Sequence, residues 1–272
     1  MIASSELVAQ SRRTGVLAVN IVTIEHVIGA ITGAERVGKP LILQLSENAI
    51  AFHGAVEPIA AAARAAAELA TVPIVLHLDH ITDLALAARA PELGFGSVMY
   101  DGAALPFAEN VARTHEVTEQ LHAAGVRVEA ELGEIGGKLG AHAPGVRTDP
   151  AEAADFVSRT GVDALAVAVG SEHAMTTRDA RLDLALIAEL AAAVPVPLVL
   201  HGSSGVSDAG IRDAIAAGVT KINVGTALGV AFTAATRDAL ADPTLVDPRK
   251  FLAPARAAVA DEVARLLNTV IG

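Results

Sequence analysis

The sequence has no cysteine and no tryptophan, and it has only one tyrosine and six phenylalanines. Without cysteine the chain can form neither a disulfide framework nor a thiolate metal site, so any metal must be bound by His, Asp or Glu. Aromatic residues make up 3% of the chain, whereas 52% of its residues are hydrophobic. The core must therefore be aliphatic, built from Ala, Val, Leu and Ile.

Positive charge and long apolar runs are also scarce. The 20 Lys and Arg against 31 Asp and Glu give a formal net charge of -11 at pH 7, which argues against nucleic acid or a membrane surface as partner. A phosphorylated small molecule stays possible, because backbone N–H groups can bind phosphate locally. No apolar stretch reaches the roughly 20 residues that span a bilayer, and the N-terminus lacks the pattern of a secretory signal. We therefore expect a cytoplasmic protein.

Eight short apolar runs are predicted to be β-strands. Most are continuous rather than alternating, as is typical of parallel strands that are covered on both faces. Several follow a proline or a glycine-containing turn. The predicted strands are Val16–Asn20, Leu41–Ser46, Ile74–Asp79, Ser97–Asp101, Arg127–Leu132, Ala164–Val169, Leu198–His201 and Lys221–Val224.

Helix-favouring stretches rich in Ala, Leu, Glu and Arg separate these strands. The predicted helices are Ile24–Arg36, Val56–Ala70, Phe107–Ala124, Pro150–Arg159, Asp183–Ala193 and Asp208–Ala216, with final helices from Ala227 onward. Asp149 and Ser207 have the position of helix N-caps. Eight strand–helix units predict an α/β protein, a (β/α)8 TIM barrel in which residues 1–272 form one domain with C-terminal helices. An open doubly wound sheet is the structural alternative.

Three histidines, His80, His173 and His201, each lie at the end of one of the apolar runs. One histidine at a strand end is often an ordinary packing residue. In a parallel barrel, however, the C-terminal ends of all strands meet at one mouth, so three imidazoles there could bind zinc and leave a position open for substrate. Cobalt and other first-row divalent ions also suit such a site.

Other polar residues lie at nearly every predicted strand end, namely Asn20, Ser46, Asp79, Asp101, Glu131 and Asn223. Crowded or buried charge is costly unless it is paired or bound to a metal, so the set indicates an active site. Taken singly, Asp101 could cap a helix and Asn20 could be a turn residue. The segments 202–205 (Gly-Ser-Ser-Gly) and 225–226 (Gly-Thr) favour phosphate binding through backbone N–H groups and helix N-termini.

These residues resemble a known family, the zinc-dependent class II ketose-bisphosphate aldolases that act on fructose and tagatose bisphosphates. The matching segments run in chain order over nearly the full length. They include His-Leu-Asp-His80, Val-Glu-Ala-Glu131-Leu-Gly, Val-Gly-Ser-Glu-His173, His201-Gly-Ser-Ser-Gly, Lys-Ile-Asn223-Val-Gly-Thr226 and Asp-Pro-Arg249.

The resemblance implies a role for each of these positions. It makes His80, His173 and His201 the ligands of a catalytic Zn²⁺, Asp79 the proton donor to the aldehyde oxygen, and Asp101 and Glu131 contacts of a second metal position. It assigns the dihydroxyacetone phosphate half of the substrate to Gly202, Ser203, Ser204, Asn223, Val224, Gly225 and Thr226. It places Asn20 and Ser46 near the acceptor half, Arg249 at the acceptor phosphate of a neighbouring subunit, and a monovalent cation beside the phosphate.

The implied activity is that of a metal-dependent aldolase that cleaves a ketose 1,6-bisphosphate, or a related ketose phosphate, into dihydroxyacetone phosphate and an aldehyde. The cation would stabilise the enediolate formed on cleavage. No Schiff-base lysine is needed, and Lys221, at the start of a predicted strand, is the one lysine that stands out. The role of Arg249 implies a homodimer or homotetramer.

Two departures from the family pattern leave the substrate and its stereochemistry open. In many relatives the glycine pair that corresponds to Gly136-Gly137 is followed by an acidic pair, one member of which moves the donor's carbon-bound proton, whereas here Lys138-Leu139 follows. Glu134 and His142 are then the candidate bases, with an ordinary loop residue as the alternative for each. Ala174 replaces a glycine at the phosphate site. The altered loop motivates an alternative, a non-catalytic sugar-phosphate-binding or partner subunit on the same barrel.

Overall fold

The computed structural model describes residues 14–133 and 146–271. The predictions for Lys138-Leu139 and for Glu134 and His142 as bases therefore lie outside the described residues.

Eight parallel strands form a closed barrel in which each strand is hydrogen-bonded to the next along the chain and β8 pairs with β1. The strands are β1 Val16–Asn20, β2 Leu41–Ser46, β3 Ile74–Ile81, β4 Ser97–Tyr100, β5 Arg127–Leu132, β6 Ala164–Val167, β7 Leu198–Leu200 and β8 Val219–Val224. All eight predicted strands are present, and their closure rules out the open doubly wound sheet.

Helices cover the outside of the barrel. They are α1 Ile24–Val37, α2 Glu47–His53, α3 Glu57–Leu69, α4 Leu84–Ala88, α5 Ala90–Leu93, α6 Phe107–Ala123, α7 Pro150–Thr160, α8 Leu184–Ala193, α9 Asp208–Ala217, α10 Thr226–Ala239 and α11 Pro248–Ile271. Every predicted helix is present. The short helices α2, α4 and α5 were not predicted, because they span too few residues to show a helical period.

The two predicted helix starts have the expected caps. The Asp149 carboxylate accepts hydrogen bonds from the backbone N–H groups of Ala151 and Glu152, and the Ser207 hydroxyl oxygen accepts one from Gly210. Each cap satisfies backbone donors that the first turn of a helix leaves without an intrahelical partner. Both caps lie at the mouth of the barrel and fix where α7 and α9 begin.

The barrel interior changes from apolar to polar along its axis. Small apolar side chains such as Ala18, Ile42 and Val75 fill its lower part. Higher up, alternate positions of the strands place buried polar groups inside, among them Gln44 and His77. The His77 imidazole is hydrogen-bonded through Nδ1 to the Ser97 hydroxyl at 2.7 Å. The larger aliphatic core lies between the strands and the surrounding helices.

Within residues 14–133 and 146–271, no helix is both long enough and apolar enough to cross a membrane.

Candidate active site and metal centre

A cavity of about 480 Å³ opens at the C-terminal ends of the strands. It brings together most of the residues predicted from the sequence, which are Asn20, Ser46, Asp79, His80, Asp101, His173, His201, Gly202, Ser204, Asn223, Gly225 and Thr226. Glu47, Asn48 and Thr82 also line it and were not predicted. The Glu47 carboxylate accepts hydrogen bonds from the Thr82 backbone N–H at 2.6 Å and from the Thr82 hydroxyl at 2.9 Å, so it fastens the loop after β3 to the end of β2.

An irregularity in β3 explains how two consecutive residues, Asp79 and His80, both reach the cavity. Successive side chains of a regular strand point to opposite faces. Here the register between β3 and β4 shifts between Leu78 and Ile81, and His80 has a left-handed backbone with φ 53°. Such a bulge re-aims a side chain, so Asp79 keeps its inward direction and His80 is turned to the same side.

The three predicted histidines converge. Their ring centroids are 5.1 Å apart for His80 and His173, 4.7 Å for His80 and His201, and 5.6 Å for His173 and His201. Each of these residues and Glu131 offers one ligand atom, and the four atoms lie within 4.8 Å of one another. His201 Nδ1 is buried and makes no hydrogen bond with any described residue. Three imidazoles and a carboxylate arranged in this way fit a first-row divalent cation.

The two carboxylates predicted for a second metal position lie in different surroundings. Glu131 belongs to the cluster with the three histidines. Asp101 is instead hydrogen-bonded through Oδ2 to His80 Nδ1 at 2.7 Å. A carboxylate on the distal nitrogen fixes the orientation of a metal-binding imidazole, so Asp101 is placed to orient His80. Asp101 caps no helix, because the next helix, α6, begins at Phe107.

The two carboxylate oxygens of Asp79, which lines the cavity, have different surroundings. The side-chain amide of Asn20 donates to Asp79 Oδ2 at 2.7 Å, so Asn20 is more than a turn residue. Asp79 Oδ1 is buried and makes no hydrogen bond with a described residue. Burial raises the pKa of this carboxyl, but attraction to His80 and His201 outweighs the effect and holds the pKa below its usual range. An ionised, oriented carboxylate can accept a proton.

The loops after β7 and β8 form the other side of the cavity. Gly202 has φ 67° and precedes a single 3₁₀ turn, and α10 begins at Thr226, where the Ala227 backbone N–H donates to the Ser204 hydroxyl. The N-terminus of a helix with small residues around it is suited to an anion. Neither amide atom of Asn223 is hydrogen-bonded to a described residue.

Three residues predicted to bind substrate do not line the cavity. The Val224 side chain packs in the aliphatic core, and the Ser203 hydroxyl donates to the Leu200 carbonyl at 3.0 Å. Their side chains stabilise the loops, which leaves only their backbone for contact with a ligand. Arg249 lies at the exposed start of α11, paired with Asp247 at 2.9 Å, and does not line the cavity either.

The sequence reasoning missed an ion pair inside the barrel. Lys221 lies within β8 rather than at its start, and its Nζ is 2.7 Å from Glu129 Oε2. Glu129 Oε1 is 3.1 Å from His201 Nε2. Burial raises the pKa of Glu129, but the Lys221 charge and the His201 hydrogen bond hold it below its usual range. Glu129 lies two positions before Glu131, and Lys221 two positions before Asn223. Because residues two apart in a strand point to the same face, this spacing could have predicted that both side chains point into the barrel.

Comparisons with known proteins agree on one family. Residues 6–271 match the family model described as class-II fructose-bisphosphate aldolase. The chain is 37% identical to the D-tagatose-1,6-bisphosphate aldolase subunit GatY of Klebsiella oxytoca, covering 98% of this chain and 96% of that protein. It is 40% identical to a probable fructose-bisphosphate aldolase of Bacillus subtilis, over 90% and 87% of the two chains. The crystal structure of the YdjI aldolase from Escherichia coli K12 superposes with a TM-score of 0.88 at 32% identity, over 99% and 97% of the chains.

Proposed function

The chain belongs to the class II fructose-bisphosphate aldolase family and is therefore a metal-dependent aldolase, and we propose that it cleaves a ketose 1,6-bisphosphate into dihydroxyacetone phosphate and an aldehyde. The observation that carries this proposal is the convergence of His80, His173, His201 and Asp79 on one cavity beside a glycine-rich loop. Among residues 14–133 and 146–271 nothing favours the alternative of a non-catalytic subunit, because the three histidines and Asp79 all lie in the cavity.

The proposed metal is Zn²⁺, held by the three histidines, with Glu131 close enough to act as a further ligand. The donor set supports this choice, since imidazole and carboxylate without thiolate are typical ligands of catalytic zinc. When bound, the cation supplies Lewis-acid stabilisation of the negative charge that develops on the donor half. Asp101 keeps the His80 ring in place through its bond to Nδ1.

Asp79 is the proposed acid–base group. In the cleavage direction, Asp79 Oδ1 takes the proton of the C4 hydroxyl, whose oxygen becomes that of the aldehyde, while the electron pair of the C3–C4 bond passes to the donor half as an enediolate. Protonation of C3, for which Glu134 and His142 are the candidate groups, then gives dihydroxyacetone phosphate. In condensation the same carboxyl returns the proton to the aldehyde oxygen. Asn20 holds the other carboxylate oxygen at 2.7 Å, which keeps Oδ1 directed toward the cavity.

The donor phosphate is proposed to bind at the loops after β7 and β8. Backbone N–H groups near Gly202, Ser204, Gly225 and Thr226, together with the N-terminus of α10, provide the donors. Asn223 has a buried amide that can contact the donor half. On the acceptor side, Asn20 and Ser46 remain the proposed contacts.

We also propose that the active form is a homo-oligomer of cytoplasmic subunits. Arg249 is exposed and lies outside the cavity of its own chain, so a role at the acceptor phosphate requires a neighbouring subunit. The Arg249 side chain is 88% exposed, so it can reach a neighbouring subunit although its Nε and Nη2 are hydrogen-bonded to Asp247.

The test is a cleavage assay of zinc-loaded protein with fructose 1,6-bisphosphate and tagatose 1,6-bisphosphate. We expect release of dihydroxyacetone phosphate from at least one of them, and the ratio of the two rates identifies the preferred configuration at C4. Asp79→Asn should lower kcat by about 10²–10⁴-fold while zinc stays bound. Unchanged kcat in this variant would refute the role of Asp79, and no triose phosphate from any ketose phosphate would refute the proposed function.

A further inference from the structure

The buried ion pair Glu129–Lys221 lies directly behind one of the metal-binding histidines. His201 is fully buried, and Glu129 and Lys221 are 4% and 2% exposed. Glu129 uses both oxygens, one toward His201 Nε2 at 3.1 Å and the other toward Lys221 Nζ at 2.7 Å. The three side chains therefore form a continuous chain from the barrel interior to the metal site.

The direction of the hydrogen bond determines which nitrogen of His201 can bind a metal. A carboxylate only accepts hydrogen bonds, so Nε2 must carry the proton. A neutral imidazole with its proton on Nε2 has its lone pair on Nδ1, and that nitrogen faces Glu131 Oε2 at 3.5 Å within the ligand cluster. A hydrogen bond to the second ring nitrogen is the general means by which proteins select the tautomer of a metal ligand.

Lys221 provides the positive charge that allows the Glu129 carboxylate to stay ionised inside the barrel. A buried carboxylate without a counter-charge is strongly destabilising, and Lys221 Nζ is the only ammonium or guanidinium group of the described chain that is paired with Glu129. Lys221 is the one buried lysine among residues 14–133 and 146–271. Its amine is paired with Glu129 and does not line the cavity, so the role that the structure supports for it is structural.

We propose that Glu129 is a positioning residue for the metal site, which holds His201 in the tautomer with its lone pair on Nδ1, and that Lys221 holds Glu129 in place. The inference rests on the metal site of the proposed function. It adds that the affinity for the metal depends on an ion pair that touches neither metal nor substrate.

The test uses the double variant Glu129→Gln/Lys221→Met, which keeps the shapes of both side chains and leaves no unpaired charge. A glutamine amide can either accept from or donate to His201 Nε2, so it no longer selects one tautomer. The matched control is Gln44→Met, which replaces another fully buried polar side chain of the barrel interior by an isosteric apolar one. Gln44 makes no hydrogen bond with a described residue.

Three quantities are measured: the His201 tautomer in metal-free protein by ¹⁵N NMR of histidine-labelled samples, the Kd for Zn²⁺ by competition with a chromophoric chelator, and Tm. We expect the proton of His201 on Nε2 in the wild-type protein and a mixture of tautomers in the double variant. We expect the double variant to bind Zn²⁺ about 10–100-fold more weakly and Gln44→Met to bind it like wild type.

Each outcome decides the proposal. A wild-type His201 protonated on Nδ1 would overturn it, and this measurement requires no variant to fold. A folded double variant with wild-type Kd would overturn it as well, as would a Gln44→Met variant that loses as much affinity. Because the tautomer is read without metal or substrate, a wild-type protein that shows the expected tautomer but cleaves no ketose phosphate would refute the proposed function alone.

Discussion

At the scale of single residues, backbone strain is concentrated at the cavity. Two non-glycine residues of the described chain have positive φ, His80 at 53° and Ala174 at 59°, and both line the cavity. Such conformations persist only where the surrounding structure enforces them, and they cluster at functional sites. In His80 the strain directs a proposed metal ligand, whereas in Ala174 it accompanies the replacement of a glycine that the resemblance leads one to expect.

Replacing Ala174 by glycine should therefore stabilise the protein. The left-handed backbone costs alanine about 1–2 kcal/mol, which exceeds the entropy that glycine gains in the unfolded chain, so Ala174→Gly should raise the free energy of unfolding by about 0.5–1 kcal/mol. Ala65→Gly, on the exposed face of α3, is the control and should lower it by about 1 kcal/mol. Urea denaturation of both variants measures the two changes in unfolding free energy. Changes of the same sign would show that the backbone of Ala174 is not strained.

The buried His77 should make stability dependent on pH. Burial and the Lys221 charge lower the pKa of His77 to about 3, below the unfolded value of about 6.5. Between these values the unfolded chain binds a proton that the folded chain does not, so the His77 contribution to stability is lost as pH falls from about 6.5 toward 3.

The measurement is urea denaturation of metal-free wild type and His77→Gln at pH 7 and pH 5. On going from pH 7 to pH 5, wild type should lose about 2 kcal/mol more of unfolding free energy than His77→Gln, from the pKa difference. Because the other titrating groups are the same in both proteins, their contributions to the pH dependence cancel to first order when the two losses are compared. Equal losses would show that His77 is protonated equally easily in both states.

At the scale of elements, the loop that carries His173 packs on the glycine-rich loop after β7. A Cβ atom at Gly202 would lie 2.5 Å from the carbonyl oxygen of Glu172, the residue before His173, which is a proposed metal ligand. At Gly38, the C-terminal cap of α1, φ is also 67°, and a Cβ atom would have no neighbour within 4 Å. The two glycines share a conformation and differ in their surroundings.

Gly38→Ala should lower the free energy of unfolding by about 1 kcal/mol, the cost of a left-handed backbone for alanine where there is no steric clash. Gly202→Ala should cost about 1–3 kcal/mol more, because the loops must separate, and should also weaken Zn²⁺ binding through the displaced His173. Calorimetry and chelator competition on both variants check these values. If the two substitutions cost the same and bind Zn²⁺ equally, the close packing of the two loops does not position His173.

The elements differ in how far the sequence predicts them. Continuous apolar runs ending in polar residues located every strand, and β1, β2 and β5 have the predicted bounds, because burial on both faces leaves a clear pattern. The bulge at Asp79 and His80 was not predictable, since it depends on pairing with β4. The Glu129–Lys221 pair was overlooked because a charged side chain in a β-strand is usually assigned to solvent, and only the closed barrel puts both inside.

At the scale of the whole molecule, closure of the barrel assembles the site. Residues more than a hundred positions apart, such as His80 and His201, become neighbours because all strands end at the same mouth. The polar interior below that mouth lies against the histidine cluster, and the N-terminus of α10 lies at the proposed phosphate site. The account therefore depends on one claim, that the histidine cluster binds the ion on which cleavage depends.

The most direct measurement is a titration of metal-free protein with Zn²⁺ in which bound metal and triose phosphate release from the preferred ketose bisphosphate are followed in the same samples. The account predicts that activity rises in proportion to bound Zn²⁺ and levels off at one ion per chain, and that His173→Ala protein neither retains the ion nor gains activity. Cleavage by metal-free protein, or full activity in His173→Ala, would contradict it.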